Sequence, residues 1–95
     1  NELSLEENLF TDFNIYPNPS KGDATIEFEL YQESQIQITL SNVYGSVLAQ
    51  QDLKMKATNN SVQLKDLYTS LKAGIYFVQL SNEGISITKK VVITD

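Results

Sequence analysis

Apolar and polar residues exchange places at nearly every step of this chain, and no long segment shows the 3.6-residue period of a helix. Ala24, Ile26, Phe28 and Leu30 alternate with Thr25, Glu27, Glu29 and Tyr31, which describes a half-buried strand with an acidic outer face. Ile36, Ile38 and Leu40 alternate with Gln35, Gln37, Thr39 and Ser41 in the same way. Tyr76, Val78 and Leu80 alternate with Ile75, Phe77 and Gln79, so this strand is apolar on both faces and expected at the centre of a sheet. Ile85 and Ile87 begin a further strand that runs through Val91, Val92 and Ile93. Weaker candidates lie at 13–16, 47–53 and 62–64.

The segments between these strands carry turn chemistry. Pro17-Asn18-Pro19-Ser20-Lys21-Gly22 cannot be a strand interior, because two prolines remove ladder donors. Asn42-Val43-Tyr44-Gly45 has Asn at the first and Gly at the last place of a type I turn. Asn82-Glu83-Gly84 fits a three-residue hairpin loop with Gly in the left-handed position. Asp66-Leu67-Tyr68-Thr69-Ser70-Leu71 offers a capping aspartate and apolar residues four apart, enough for one helical turn. About seven short strands with turns between them predict an all-β, immunoglobulin-like antiparallel β-sandwich. Ile26, Phe28, Ile38, Leu40, Tyr76, Val78 and Leu80 are its expected core.

Composition bounds the chemistry. The 95 residues contain no cysteine and no histidine, which removes disulfides and the usual zinc, haem, thiol and histidine-base chemistries. That argues against an enzyme and leaves no cofactor expected. Residues 1–33 hold eight acids and one lysine, whereas residues 34–95 hold six lysines and four acids, for a net charge of −5. Every cation is lysine, and nucleic-acid recognition wants a dense basic face with forked arginine donors. No stretch approaches the ~18 apolar residues of a membrane span. Residues 1–12 hold four acids, no lysine and no alternation, and read as a solvated linker ahead of a domain at 13–95.

Candidate sites are few. Asp12, Asp23, Glu27 and Glu29 have the oxygens calcium needs, but no D-x-D-x-D-G loop exists and Glu27 and Glu29 simply occupy a strand's polar face. No metal site is therefore expected. The hydroxyl residues show neither S-x-x-K nor G-x-S-x-G spacing. Of five tyrosines, Tyr16, Tyr44 and Tyr76 are expected in the core or at tyrosine corners beside turns, while Tyr31 and Tyr68 stay open as a sugar-stacking face.

Four segments together are specific. Phe13-Asn14-Ile15-Tyr16-Pro17-Asn18-Pro19, followed by Gly22 and the strand from Ala24, resembles the opening of the type IX secretion C-terminal sorting domain (type A, the Por secretion tail family). Asn42-Val43-Tyr44-Gly45 is similar to that family's N-x-x-G turn. Leu71-Lys72-Ala73-Gly74-Ile75-Tyr76-Phe77-Val78 is similar to its L-x-x-G-x-Y-x-V strand opening, and Lys90-Val91-Val92-Ile93 to its terminal lysine-plus-aliphatic strand. The order and spacing agree from Phe13 to Asp95. One departure is Lys89, which falls in the apolar register of Ile85, Ile87, Val91 and Ile93. Either a bulge shifts the phase there or an inward lysine blunts an edge strand, and the spacing to Val91 and Val92 favours Lys90 as the family's lysine.

The resemblance implies a sorting signal that directs an upstream cargo domain of the same precursor through an outer-membrane translocon. It further implies removal by a sortase-like peptidase, with residues 1–12 holding or adjoining the cut, and a route through the periplasm to the cell surface or medium. Gly74, Tyr76, Lys89, Lys90, Val91, Val92 and Ile93 are the recognition candidates it implies, with Pro17, Asn18, Pro19, Gly22, Asn42 and Gly45 as motif turn residues. From the residues alone, a terminal strand at a sheet edge offers unpaired backbone groups for strand addition. A carbohydrate-binding module and a purely structural spacer are the rival readings: the first should expose coplanar aromatics, and the second should tolerate loss of the C-terminal strand.

Overall fold

Alternation along the chain becomes two antiparallel sheets face to face. The computed structural model describes residues 10–56, 59–82 and 84–94. The strands are β1 (Phe10–Tyr16), β2 (Thr25–Leu30), β3 (Ser34–Asn42), β4 (Val47–Met55), β5 (Asn59–Gln63), β6 (Gly74–Asn82) and β7 (Ile85–Ile93), with one helical turn, α1 (Leu64–Leu67), between β5 and β6. One sheet has the order β1-β2-β5 and the other β4-β3-β6-β7. This is the expected immunoglobulin-like sandwich of seven strands, but β4 pairs with β3 instead of joining the first sheet, as the fourth strand does in a constant-type domain.

The inner faces make one core. Phe13, Ile15, Ala24, Ile26, Phe28 and Leu30 from the first sheet meet Ile36, Ile38, Leu40, Val78, Leu80, Val91 and Ile93 from the second, and Leu64 closes one end. Of the expected core, only Tyr76 is half-buried instead of buried, packing against the cluster's margin. β6 is central in its sheet as expected, between β3 and β7, yet its outer face is not covered: Ile75 is exposed there.

Three local expectations change. β1 begins at Phe10, three residues ahead of the strand expected at 13–16, and residues 1–9 of the expected linker lie outside the described residues. A one-residue bulge between Thr11 and Asn14, with Asp12 at φ +52°, bends β1 there. Asn82 already pairs with Ile85, so it belongs to β6 and not to the hairpin loop expected at 82–84; Gly84 takes the expected left-handed position at φ +89°, and Glu83 lies outside the described residues. The helical turn starts at Leu64, capped by no side chain, so Asp66 sits within its first turn, where a carboxylate complements the helix dipole.

Lys89 is settled by register. Pairing of β6 with β7 runs unbroken from Asn82↔Ile85 to Gly74↔Ile93, which leaves no bulge. Lys89 is opposite the buried Val78 on the inward side of an edge strand, and it is exposed. A charge placed there discourages edge-to-edge pairing.

Candidate functional site

The sheet register gathers the four motif segments at one end of the sandwich. Asn42 on β3 stands opposite Tyr76 on β6, Tyr76 stands opposite Val91 on β7, and Gly74 stands opposite Ile93. The loop after β1, which holds Pro17, Asn18, Pro19 and Gly22, reaches the same end through Ser20, which bridges to Ile93 in parallel fashion. The chain enters β1 at Phe10, opposite Leu30 and therefore at the other end.

At this end the loop closes the edge of β7. Asn18 uses its side-chain amide as a strand would use a peptide group: Oδ1 accepts the Val92 N–H at 2.9 Å and Nδ2 donates to the Lys90 carbonyl at 2.9 Å. The Ser20 N–H donates to the Val92 carbonyl at 2.9 Å, and the Thr94 N–H donates to the Ser20 carbonyl at 2.7 Å. Pro17 and Pro19, lacking N–H groups, flank Asn18 without competing for those acceptors. Sequence reasoning placed the loop but missed this role of Asn18 and of the buried Ser20, because a side chain that mimics a backbone leaves no periodic trace. The Lys90 carbonyl, both outward groups of Val92 and the Thr94 N–H are thus occupied, so the loop obstructs strand addition along this part of the β7 edge. Asn18→Ala is expected to destabilise the domain by about 1–2 kcal/mol and to speed hydrogen exchange at the Val92 amide. Asn18→Asp should not restore protection, because a carboxylate would face the Lys90 carbonyl. Unchanged exchange at Val92 in Asn18→Ala would remove the clamp.

Beside the clamp, a groove of about 450 Å³ runs between the β3–β4 turn and the segment leading into β6. Its walls include Asn42, Val43 and Tyr44 on one side and Tyr68, Lys72 and Ile75 on the other. The turn is fixed by Asn42, whose Oδ1 accepts the Tyr44 and Ser46 N–H groups at 2.9 and 3.0 Å while its carbonyl accepts the Gly45 N–H. Gly45, at φ +87°, takes the left-handed position that completes the expected type I turn. Across the groove, the Tyr76 hydroxyl donates to the Lys72 carbonyl at 2.7 Å, four residues upstream on the approach to β6. That is a tyrosine corner, as expected. Gly74 opens β6 at φ +157°, the extended margin of positive φ, and a Cβ there would meet the Tyr76 ring at an ordinary 3.8 Å. Close backbone approach is therefore not its reason.

The remaining candidates divide by exposure. Val91 and Ile93 are core residues, whereas Lys90 is exposed on the outer face and Val92 is half-buried beside Ile75. Tyr44 is 89% exposed and Tyr16 is 47% exposed, so neither holds the core or corner position expected of it. The Tyr16 hydroxyl instead donates to Glu27 across β1 and β2 at 3.1 Å, and that hydrogen bond to a carboxylate raises the phenol's pKa above its usual value. Among the described residues, no three acids come together as a metal site, and no helix is long and apolar enough to cross a membrane.

The family model of the secretion system C-terminal sorting domain matches residues 14–94. No curated protein matches the chain. The matched family is the C-terminal sorting signal of type IX secretion cargo proteins.

Proposed function

The chain belongs to the secretion system C-terminal sorting domain family, and we propose that an outer-membrane translocon takes hold of it at the end where its four motifs gather. Gly74, Tyr76, Asn42, Gly45 and the clamp shape that end, and Lys90 and Val92 present side chains from it. The supporting observation is the register row from Asn42 through Tyr76 to Val91, which unites segments remote in sequence at the end away from Phe10. Cargo attached ahead of β1 would then stay clear of the recognised surface. A sortase-like peptidase would cut ahead of β1 after passage from the periplasm, leaving the cargo at the cell surface or in the medium. Nothing in a sorting signal calls for catalysis by the domain itself.

Lys90→Ala tests the reading in a reporter cargo fused ahead of this chain. The side chain is exposed, so stability should change by no more than about 0.5 kcal/mol, while export of the reporter slows. Export at the parental rate would remove Lys90 from the signal.

A sugar-binding reading has one observation in its favour: Tyr44 and Tyr68 line the same groove. Titration of Tyr44→Ala and Tyr68→Ala against a glycan panel decides it. Loss of a measured sugar affinity with export intact would assign the groove to carbohydrate.

A further inference from the structure

The outer face of the four-stranded sheet is split into two chemistries. Toward one end it is a lattice of amides, with Gln37 donating to Asp52 at 3.0 Å and Gln50 donating to Gln37 and Thr39. Gln35, Gln79, Ser81, Ser86 and Thr88 continue that polar surface, as a solvated face of an antiparallel sheet should. Toward the motif end the alternation fails. Val47, Ser41, Phe77 and Lys90 form one row across all four strands, and Ile75 and Val92 stand opposite each other beyond it.

Exposure follows the same division. Seven large hydrophobic residues are exposed among the described residues; five of them (Val43, Tyr44, Val47, Tyr68 and Ile75) lie on this face or beside the groove, whereas Tyr16 at the same end belongs to the other sheet. Val43, Tyr44, Tyr68 and Ile75 line the groove, and Ile75 continues from it onto the sheet face beside Phe77. Nothing in the fold requires these side chains. The turn uses the Tyr44 N–H, which any residue supplies, and β6 needs only its inward residues for the core. A contiguous apolar surface of this kind marks an interaction site.

The charge around it selects the partner. Among the described residues Lys72 is the only charged one lining the groove, Lys90 stands opposite Phe77, and Lys89 follows on the inward side of the same edge. Among the described residues of this sheet face the nearest carboxylate is Asp52, paired with Gln37, roughly 13 Å from Ser41 along the sheet at ~3.3 Å per residue. A chain with a net charge of −5 therefore offers an apolar patch rimmed by lysines. Because Asn18 and Ser20 occupy the β7 edge there, the partner reads this face through side chains and not by adding a strand at residues 90–94.

We infer that Ile75, Phe77, Val92 and Val47, with Lys72 and Lys90 at the rim, form a docking face for a protein partner that presents apolar side chains flanked by carboxylates. The inference rests on the sorting reading and names the chemistry of the surface that the secretion machinery brings to it. Charge repulsion disfavours a second copy of this lysine-rimmed face as the occupant.

The test uses a reporter cargo fused ahead of residues 1–95 in a host with the type IX system. Ile75→Thr combined with Phe77→Thr keeps strand-compatible residues on the outer face, where Ile75 is exposed and Phe77 half-buried. It should leave the unfolding midpoint of the purified domain within a few degrees of the parent and lower export at least tenfold. Lys72→Glu with Lys90→Glu should lower export as strongly, while Lys72→Arg with Lys90→Arg should retain it. Ser86→Gln and Thr88→Gln, on the polar part of the same face, should have no effect. Folded Ile75/Phe77 and charge-reversed variants that export at the parental rate overturn the docking face. In that outcome, a chain lacking residues 10–95 is the control: if it fails to export, the sorting reading survives, and if it exports, that reading falls as well. A parental domain that sediments as a dimer and becomes monomeric in Ile75→Thr/Phe77→Thr, with export intact, also overturns the inference and assigns the patch to self-association.

Discussion

Replacing Phe28 with alanine is expected to lower the stability of the domain by about 3–5 kcal/mol, a large part of the ~5–15 kcal/mol a domain commonly has. Phe28 is fully buried and is the largest of the fully buried side chains. It sits on β2, the middle strand of the three-stranded sheet, where flanking strands limit how far the backbone can move to fill a void. The facing sheet supplies Ile36, Ile38, Leu40, Val78 and Leu80, all fully or almost fully buried and unable to expand into the space. No disulfide is available to compensate, because the chain has no cysteine. Urea unfolding followed by far-ultraviolet circular dichroism measures the loss. Phe28→Leu, which keeps most of the volume, should cost less than half as much. A loss below about 1 kcal/mol in Phe28→Ala would mean that the two sheets do not pack on this ring.

Strands and core were legible in the sequence because burial on one face of a sheet writes a period of two, and β2 and β3 carry it without interruption. The weaker candidates at 47–53 and 62–64 became β4 and β5, strands at the margins of their sheets whose partial burial blurs the pattern. Lys89 looked anomalous for the opposite reason. Its register is correct, but β7 is an edge strand and an inward position there still reaches water.

The site was legible only in pieces. Each motif named its own turn or strand end, yet their meeting at one end follows from register between β3, β6 and β7, which no local pattern encodes. Tyr44 was misjudged because nearness to a turn says nothing about which way a ring points once Asn42 has satisfied the turn's backbone. The double apolar face of β6 predicts burial on both sides. In the structure one of those faces is surface, and the same residues that marked the strand as central now mark an exposed patch.

Removing residues 90–95 is expected to unfold the domain, not merely to erase a signal. The truncation deletes Val91 and Ile93, 0% and 2% exposed, whose loss removes two aliphatic side chains from the core. Each such loss typically costs about 2–5 kcal/mol. It also deletes the pairing of Lys90 through Ile93 with Phe77 through Gly74, and every acceptor and donor that Asn18 and Ser20 use to close the edge. Together these match or exceed the ~5–15 kcal/mol available to a domain. Circular dichroism and hydrogen exchange should show a chain without protected amides at 25 °C, and the attached reporter should remain in the periplasm. Val91→Ala with Ile93→Ala separates the two causes, since it removes core volume while Lys90 and Val92 stay in the sequence. If that variant is unfolded and fails to export, the machinery reads a folded end of the sandwich. If it is unfolded and exports at the parental rate while the truncation does not, the signal is the terminal residues themselves, and the motif end assembled by the sheet register is not what is read. A truncated domain with native-like amide protection would overturn the structural part of the argument, because no other residues occupy the core positions of Val91 and Ile93.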